Sequence, residues 1–214
     1  MIYVSIRLIK VIHSSSSMIK AVIFDYNGVL TCQGTFAPLI QEYSVKCGRN
    51  SEELAKLVRQ YWDLAKLDKI PSMQFWEKIA EFLNQDPQQL RRNWIDSFGF
   101  REEMLSVIKQ IKKSYKTALL TNEIQDWTEE AIKKYSLETY FACIVPSYQA
   151  KAAKPDPKIF HYLLKKLDLT AEECVFIDDQ EKNTSAAIKM GFNTILFVSI
   201  DQVQKELKVL RIPY

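Results

Sequence analysis

The sequence is poor in the residues that metal centres and redox sites most often use: its 214 residues include two histidines and four cysteines. Cys32, Cys47, Cys143 and Cys174 share no pair spacing typical of a zinc site or a disulfide framework, so a reducing, cytoplasmic setting is expected. His13 and His161 have no evident catalytic partner and read as surface or packing residues. Charge of one sign is also scarce, with 29 basic against 26 acidic residues and a net charge of +3. Runs such as Lys112-Lys113 and Lys133-Lys134 read as solvated helix faces, and no nucleic-acid partner is expected. Long apolar runs are missing too. The mildly apolar stretch Met1 to His13 is interrupted by Arg7 and Lys10, is too short for a membrane span and lacks a cleavage signature. Residues 1–17, which end in the run Ser14 to Ser17, are expected to be a poorly ordered extension ahead of Met18.

What is present is ample for a packed core: 47% hydrophobic and 12% aromatic residues. The run Ala21-Val22-Ile23-Phe24 predicts a buried strand that ends abruptly at Asp25, followed by Asn27-Gly28. From about Pro38 to Phe100 the pattern is helical throughout, with apolar faces through Leu54, Leu57, Val58 and Tyr61, and through Phe75, Trp76, Ile79 and Phe82. Trp62, Trp76 and Trp94 read as core of this block, while Trp127 borders the site or staples the next helix. Strand and helix then alternate, with further strands expected near 117–121, 142–146, 174–178 and 194–198. This predicts an α/β fold: a Rossmann-like parallel sheet in three αβα layers, from residues 18–35 and 101–214, with a helical cap inserted over 36–100.

Three expected strands end in polar groups: Asp25, Thr121-Asn122 and Asp178-Asp179. In a parallel sheet these ends share one edge, where open α/β sheets bind ligands. A lone strand-end carboxylate is often only a helix cap; three such ends plus Lys154 in a proline-rich loop suit phosphoryl transfer. Crowded carboxylates need a compensating cation, and hard oxygen ligands favour Mg²⁺. Asp25 is then a nucleophile, a metal ligand or both, while a Thr hydroxyl, backbone N–H groups and a Lys ammonium can hold the phosphate oxygens.

These segments resemble the four motifs of the haloacid dehalogenase-like superfamily, in the same order. Phe24-Asp25-Tyr26-Asn27-Gly28-Val29-Leu30 resembles the first motif, Leu120-Thr121-Asn122 the second, and Lys154-Pro155-Asp156-Pro157 the third. Phe176-Ile177-Asp178-Asp179, continuing to Met190-Gly191, resembles the fourth. The resemblance implies an Mg²⁺-dependent phosphatase acting on a small phosphorylated metabolite, with Asp25 as nucleophile. Thr121, Asn122 and Lys154 would bind phosphate; Asp25, the Asn27 carbonyl, Asp178 and Asp179 would bind the metal. In one respect the chain departs from the phosphatase pattern. The residue two positions after the nucleophile, an Asp that serves as general acid and base, is here Asn27, which cannot exchange a proton. A catalytically weak phosphate-binding or regulatory module is therefore the alternative. Neither the substrate nor the oligomeric state follows from the sequence.

Overall fold

The structure, a computed structural model, describes residues 18–214; the expected extension over 1–17 lies outside the described residues. Five apolar segments form one sheet: β1 (Ala21–Phe24), β2 (Lys116–Thr121), β3 (Cys143–Pro146), β4 (Cys174–Asp178) and β5 (Asn193–Leu196). All neighbours are parallel, in the order β3-β2-β1-β4-β5. After β1 the chain fills one side of the sheet and then returns to the other, so the order reverses at β1–β4, where such sheets open a crevice.

The β1 strand is buried along its whole length because both faces of the sheet are covered. Val22 and Phe24 enter a core shared with α5 (Glu102–Ile111), α6 (Gln125–Tyr135) and α10 (Ile200–Val209). Ala21 and Ile23 enter a second core with α8 (Pro157–Leu167) and α9 (Glu181–Lys189), beside the short α7 (Ser147–Ala150). The result is the three-layer Rossmann-like arrangement expected from the strand–helix alternation.

Between β1 and α5 lie four helices: α1 (Ala37–Cys47), α2 (Ser51–Ala65), α3 (Ser72–Leu83) and α4 (Pro87–Ser97). Asn50 caps α2 by accepting from the Glu52 and Glu53 amides. Asp86 caps α4, whose Pro87 stands in the first turn. Phe75, Trp76 and Trp94 are fully buried in this block. Arg91 ties it to α6 through ion pairs with Asp126 and Glu130, and the Trp76 indole N–H also donates to Asp126 at 2.9 Å.

Some elements differ from the sequence pattern. The last strand runs from Asn193 and stops at Leu196, short of the expected 198. Ser199 then caps α10, which buries Val203 and Leu207. Among the described residues no helix is long and apolar enough to cross a membrane, and all four cysteines are unpaired.

Candidate active site

Strand register alone places Asp25 beside Asp178: Phe24 pairs with Ile177, and the Asp25 amide donates to the Ile177 carbonyl at 2.9 Å. Lys154, from the loop before α8, inserts its ammonium between them and lies 2.7 Å from an oxygen of each carboxylate. All three are nearly buried, with Lys154 4% and Asp178 0% exposed, so the charges are held by one another rather than by water. Burial raises the Asp25 carboxyl well above its ordinary range, against the pull of Lys154. Burial opposes ionisation of Asp178 as well, but there Lys154, the Gln180 amide and the Asn183 side chain prevail and hold it low. Lys154 itself loses hydration on burial, yet its two carboxylate partners keep it charged and raise it.

Asp179 is the third carboxylate, and burial together with nearby Asp178 pushes it up to about 6. Oxygens of Asp25, Asp178 and Asp179 all lie within 4.8 Å of one another. Ionised together against one ammonium, they would leave two negative charges uncompensated, which a hard dication matches. Asp179 fits there only because two neighbours lack side chains. A Cβ on Gly28 would stand 2.2 Å from Asp179 Oδ2, and one on Gly34 2.5 Å; Gly28 also has φ +82, costly for any other residue. Four buried side-chain atoms at this edge have no partner: Asn27 Oδ1, Thr121 Oγ1, Asp179 Oδ1 and Asn183 Oδ1. Such atoms need a ligand or solvent to satisfy them. A cation at the Asp179 oxygen and an oxyanion at the Thr121 hydroxyl answer the need, so the residues present fit a metal and a phosphate.

Asn27 lines the cleft, and its amide nitrogen donates to Glu123 Oε2 at 2.8 Å. Glu123, only 1% exposed, follows Thr121-Asn122 and accepts from the Ile124 amide with its other oxygen. Its pKa is pushed up to about 8 from 4.5 by burial, against the hydrogen bonds from Asn27 and Ile124. In an unfolded chain Glu123 ionises near its ordinary value; folded, it holds its proton until about pH 8. Stability should therefore fall as pH rises through that window, by on the order of 1.4 kcal/mol per pH unit. Urea unfolding of the parent and Glu123→Gln, in chelator, should show the variant gaining on the parent by a few kcal/mol between pH 5 and 8. Parallel pH curves would show that Glu123 is not held neutral.

The side chain of Asn122 does not turn to the cleft floor alone. It donates to the Lys154 carbonyl at 2.9 Å and accepts from the Lys154 amide at 2.7 Å, fixing the loop that carries the ammonium. Sequence reasoning missed Glu123, Gln180, Asn183 and the paired glycines. For Glu123 the available signal was an acidic residue directly after a strand-end Thr-Asn. Trp127 packs inside the aromatic cluster, while Trp62 faces the cleft.

A haloacid dehalogenase-like hydrolase profile matches residues 22–197. The mouse acyl-CoA dehydrogenase family member 10 is 33% identical over 108 residues, half of this chain; the match spans only 10% of that protein. The D-ribitol-5-phosphate phosphatase of Bacteroides thetaiotaomicron is 24% identical over 192 residues, covering 83% of this chain and 91% of the relative. Among solved structures, a haloacid dehalogenase-family enzyme of that bacterium, in complex with magnesium and inorganic phosphate, superposes with a TM-score of 0.70. It is 25% identical and covers 83% of this chain and 93% of its own.

Proposed function

We propose that this chain, which belongs to the haloacid dehalogenase-like hydrolase family, hydrolyses small phosphoric monoesters through a covalent phosphoryl group on Asp25. The observation that carries this reading is the strand-edge cluster of Asp25, Asp178 and Asp179 around the Lys154 ammonium, beside the unpartnered Thr121 hydroxyl. A family enzyme in complex with magnesium and inorganic phosphate, and a relative named as a D-ribitol-5-phosphate phosphatase, support it.

The steps follow from what each residue can do. An Asp25 oxygen attacks phosphorus, and the bond from phosphorus to the ester oxygen breaks, expelling an alkoxide that takes its proton from solvent. Water then attacks the same phosphorus, which frees inorganic phosphate and restores the carboxylate. Lys154 and the Thr121 hydroxyl hold the phosphate oxygens where charge gathers, and Asn122 positions Lys154 through its backbone. Asp25, Asp178, Asp179 and the Asn27 carbonyl would hold Mg²⁺, which supplies charge neutralisation that lets a carboxylate approach an anionic phosphate. The helices over residues 36–100 act as the cap that closes the cleft.

Asn27 can donate or accept a hydrogen bond but cannot protonate the departing alkoxide. That favours substrates with good leaving groups, and it is also the one observation that favours a slow, phosphate-binding module instead. Phosphate release from a panel of phosphorylated metabolites, with and without Mg²⁺, separates the two: turnover supports the enzyme, binding without turnover the module.

Binding of Mg²⁺ should also show as stability. At ten times its Kd the ion adds about 1.4 kcal/mol, or roughly 3–6 °C in Tm for a chain this long. Because Asp179 titrates near 6, the gain should shrink as pH falls below that value, and Asp179→Asn should diminish it. A Tm indifferent to millimolar Mg²⁺ at pH 7.5 or so would contradict the assignment.

A further inference from the structure

The cleft of about 470 Å³ has two walls of opposite chemistry. The sheet edge offers polar groups: Asp25, Asn27, Asn122 and Lys154, with Gln180, Lys182 and Asn183 beside them. The facing wall is built by one stripe of α2, where Ala55, Val58, Arg59, Trp62 and Lys66 follow helical spacing. Phe36 and Ile40, at the start of α1, and Phe98, just past α4, extend it. No carboxylate or carboxamide lines this wall, and the one neutral hydroxyl on it is that of Thr35. Hydroxyl groups of a polyol turned toward this wall would meet only Thr35 and the two cations, and the rest would go without partners, which disfavours binding.

The wall is also stiff. The Trp62 ring stands edge-on to Phe36 at 4.8 Å and to Phe75 at 5.5 Å, so its indole is locked rather than free to swing. It presents a fixed apolar surface opposite the phosphate-binding edge. On the facing wall the two cations differ, while a third, Lys182, lies on the sheet-edge side near Asp179. Lys66 is 2.5 Å from Asp63 and so already paired, whereas Arg59 is exposed and has no ion pair or hydrogen bond among the described residues.

We propose that the substrate of this site is a phosphomonoester with an apolar, ring-sized body and a second anionic group at its far end. The phosphate sits at Asp25 and Lys154, the body lies against Trp62, Val58 and Ile40, and the distal anion meets Arg59. Arg59 and Trp62 are thus specificity determinants, and the cleft selects against the polyol phosphate named for the Bacteroides relative. This inference rests on the phosphatase reading above.

Three phosphates of primary alcohols, matched in leaving group, test it: para-carboxybenzyl phosphate, benzyl phosphate and D-ribitol 5-phosphate, with p-nitrophenyl phosphate as a control for turnover itself. The parent should prefer benzyl over ribitol phosphate in kcat/KM by about tenfold or more, the worth of burying the ring without stranding hydroxyls. The distal carboxylate should add roughly three- to tenfold. In Arg59→Gln, an exposed position where folding is not at stake, the carboxybenzyl-to-benzyl ratio should collapse to about one. Ribitol phosphate equal to or better than benzyl phosphate, or an unchanged carboxybenzyl-to-benzyl ratio in Arg59→Gln, overturns the proposal. If p-nitrophenyl phosphate is hydrolysed and none of the three alcohol esters is, the specificity inference falls while the phosphatase reading stands. If nothing is hydrolysed, both fall.

Discussion

Replacing Asp25 by Asn is expected to lower turnover on every phosphate ester by a factor on the order of 10⁶, the scale of deleting a covalent nucleophile. The substitution changes one oxygen to an amide nitrogen and so preserves shape in a site where packing is tight. What it removes is the ability to form and release an acyl phosphate. No neighbouring group can substitute. Asp178 is held low by Lys154, the Gln180 amide and Asn183, all of which fix its oxygens in place, and Asp179 is wedged against Gly28 and Gly34. Neutralising Asp25 also removes one of the two carboxylates that hold Lys154. The variant should nevertheless fold, because Asp178 remains on the ammonium at 2.7 Å. Steady-state phosphate release, with Tm as the folding control, checks this; a loss of less than about tenfold would place the nucleophile elsewhere.

Asn27→Asp is expected to act in the opposite direction, and selectively. Restoring a proton-exchanging group at this position contributes at most about 10²–10⁴-fold, or roughly 3–5 kcal/mol of barrier. Alkyl phosphates, whose leaving oxygens need the proton, should gain most; p-nitrophenyl phosphate should change little. The buried neighbour Glu123 shapes the outcome. The Asn27 amide nitrogen is 2.8 Å from Glu123, so the new carboxylate would face another at hydrogen-bond distance. Two carboxylates that close share a proton. Burial already pushes Glu123 up to about 8, and exchanging the Asn27 hydrogen bond for a like charge raises it further, so the pair shares one proton at neutral pH and the gain should fade only at higher pH, where both carboxylates ionise. A leaving-group series on parent and variant reads this out. Equal slopes of log rate against leaving-group pKa would mean that position 27 does not govern proton transfer.

The sheet and its polar edge were legible because the signals are local. Ala21–Phe24 is an unbroken apolar run closed by a carboxylate, and Cys174–Asp178 repeats the pattern. Strand register then brings Asp25 and Asp178 together without further information. The Asn122 side chain illustrates what stays hidden: a strand-end amide looks like a ligand group, but it is engaged with the Lys154 backbone 32 residues away. Glu123 was illegible for a similar reason. An acidic residue after a strand reads as solvated, and only packing by Ile124, Ser147 and the Asn27 loop buries it. The α10 helix escaped because the apolar spacing of Val203 and Leu207 carries little weight without knowledge of the face they cover. The apolar wall of α2 was visible as a helical stripe, yet nothing in the sequence says that the stripe faces a cleft rather than a core.

A phosphoryl group bonded to Asp25 during turnover can be caught by acid quench and located by mass spectrometry. The parent is mixed with excess p-nitrophenyl phosphate and Mg²⁺, quenched within a turnover and digested. One added phosphoryl group is expected, on the peptide that contains Asp25, absent without Mg²⁺ and absent in Asp25→Asn. Turnover with no phosphorylated peptide, or with the phosphoryl group on any other residue, would contradict a covalent role for Asp25.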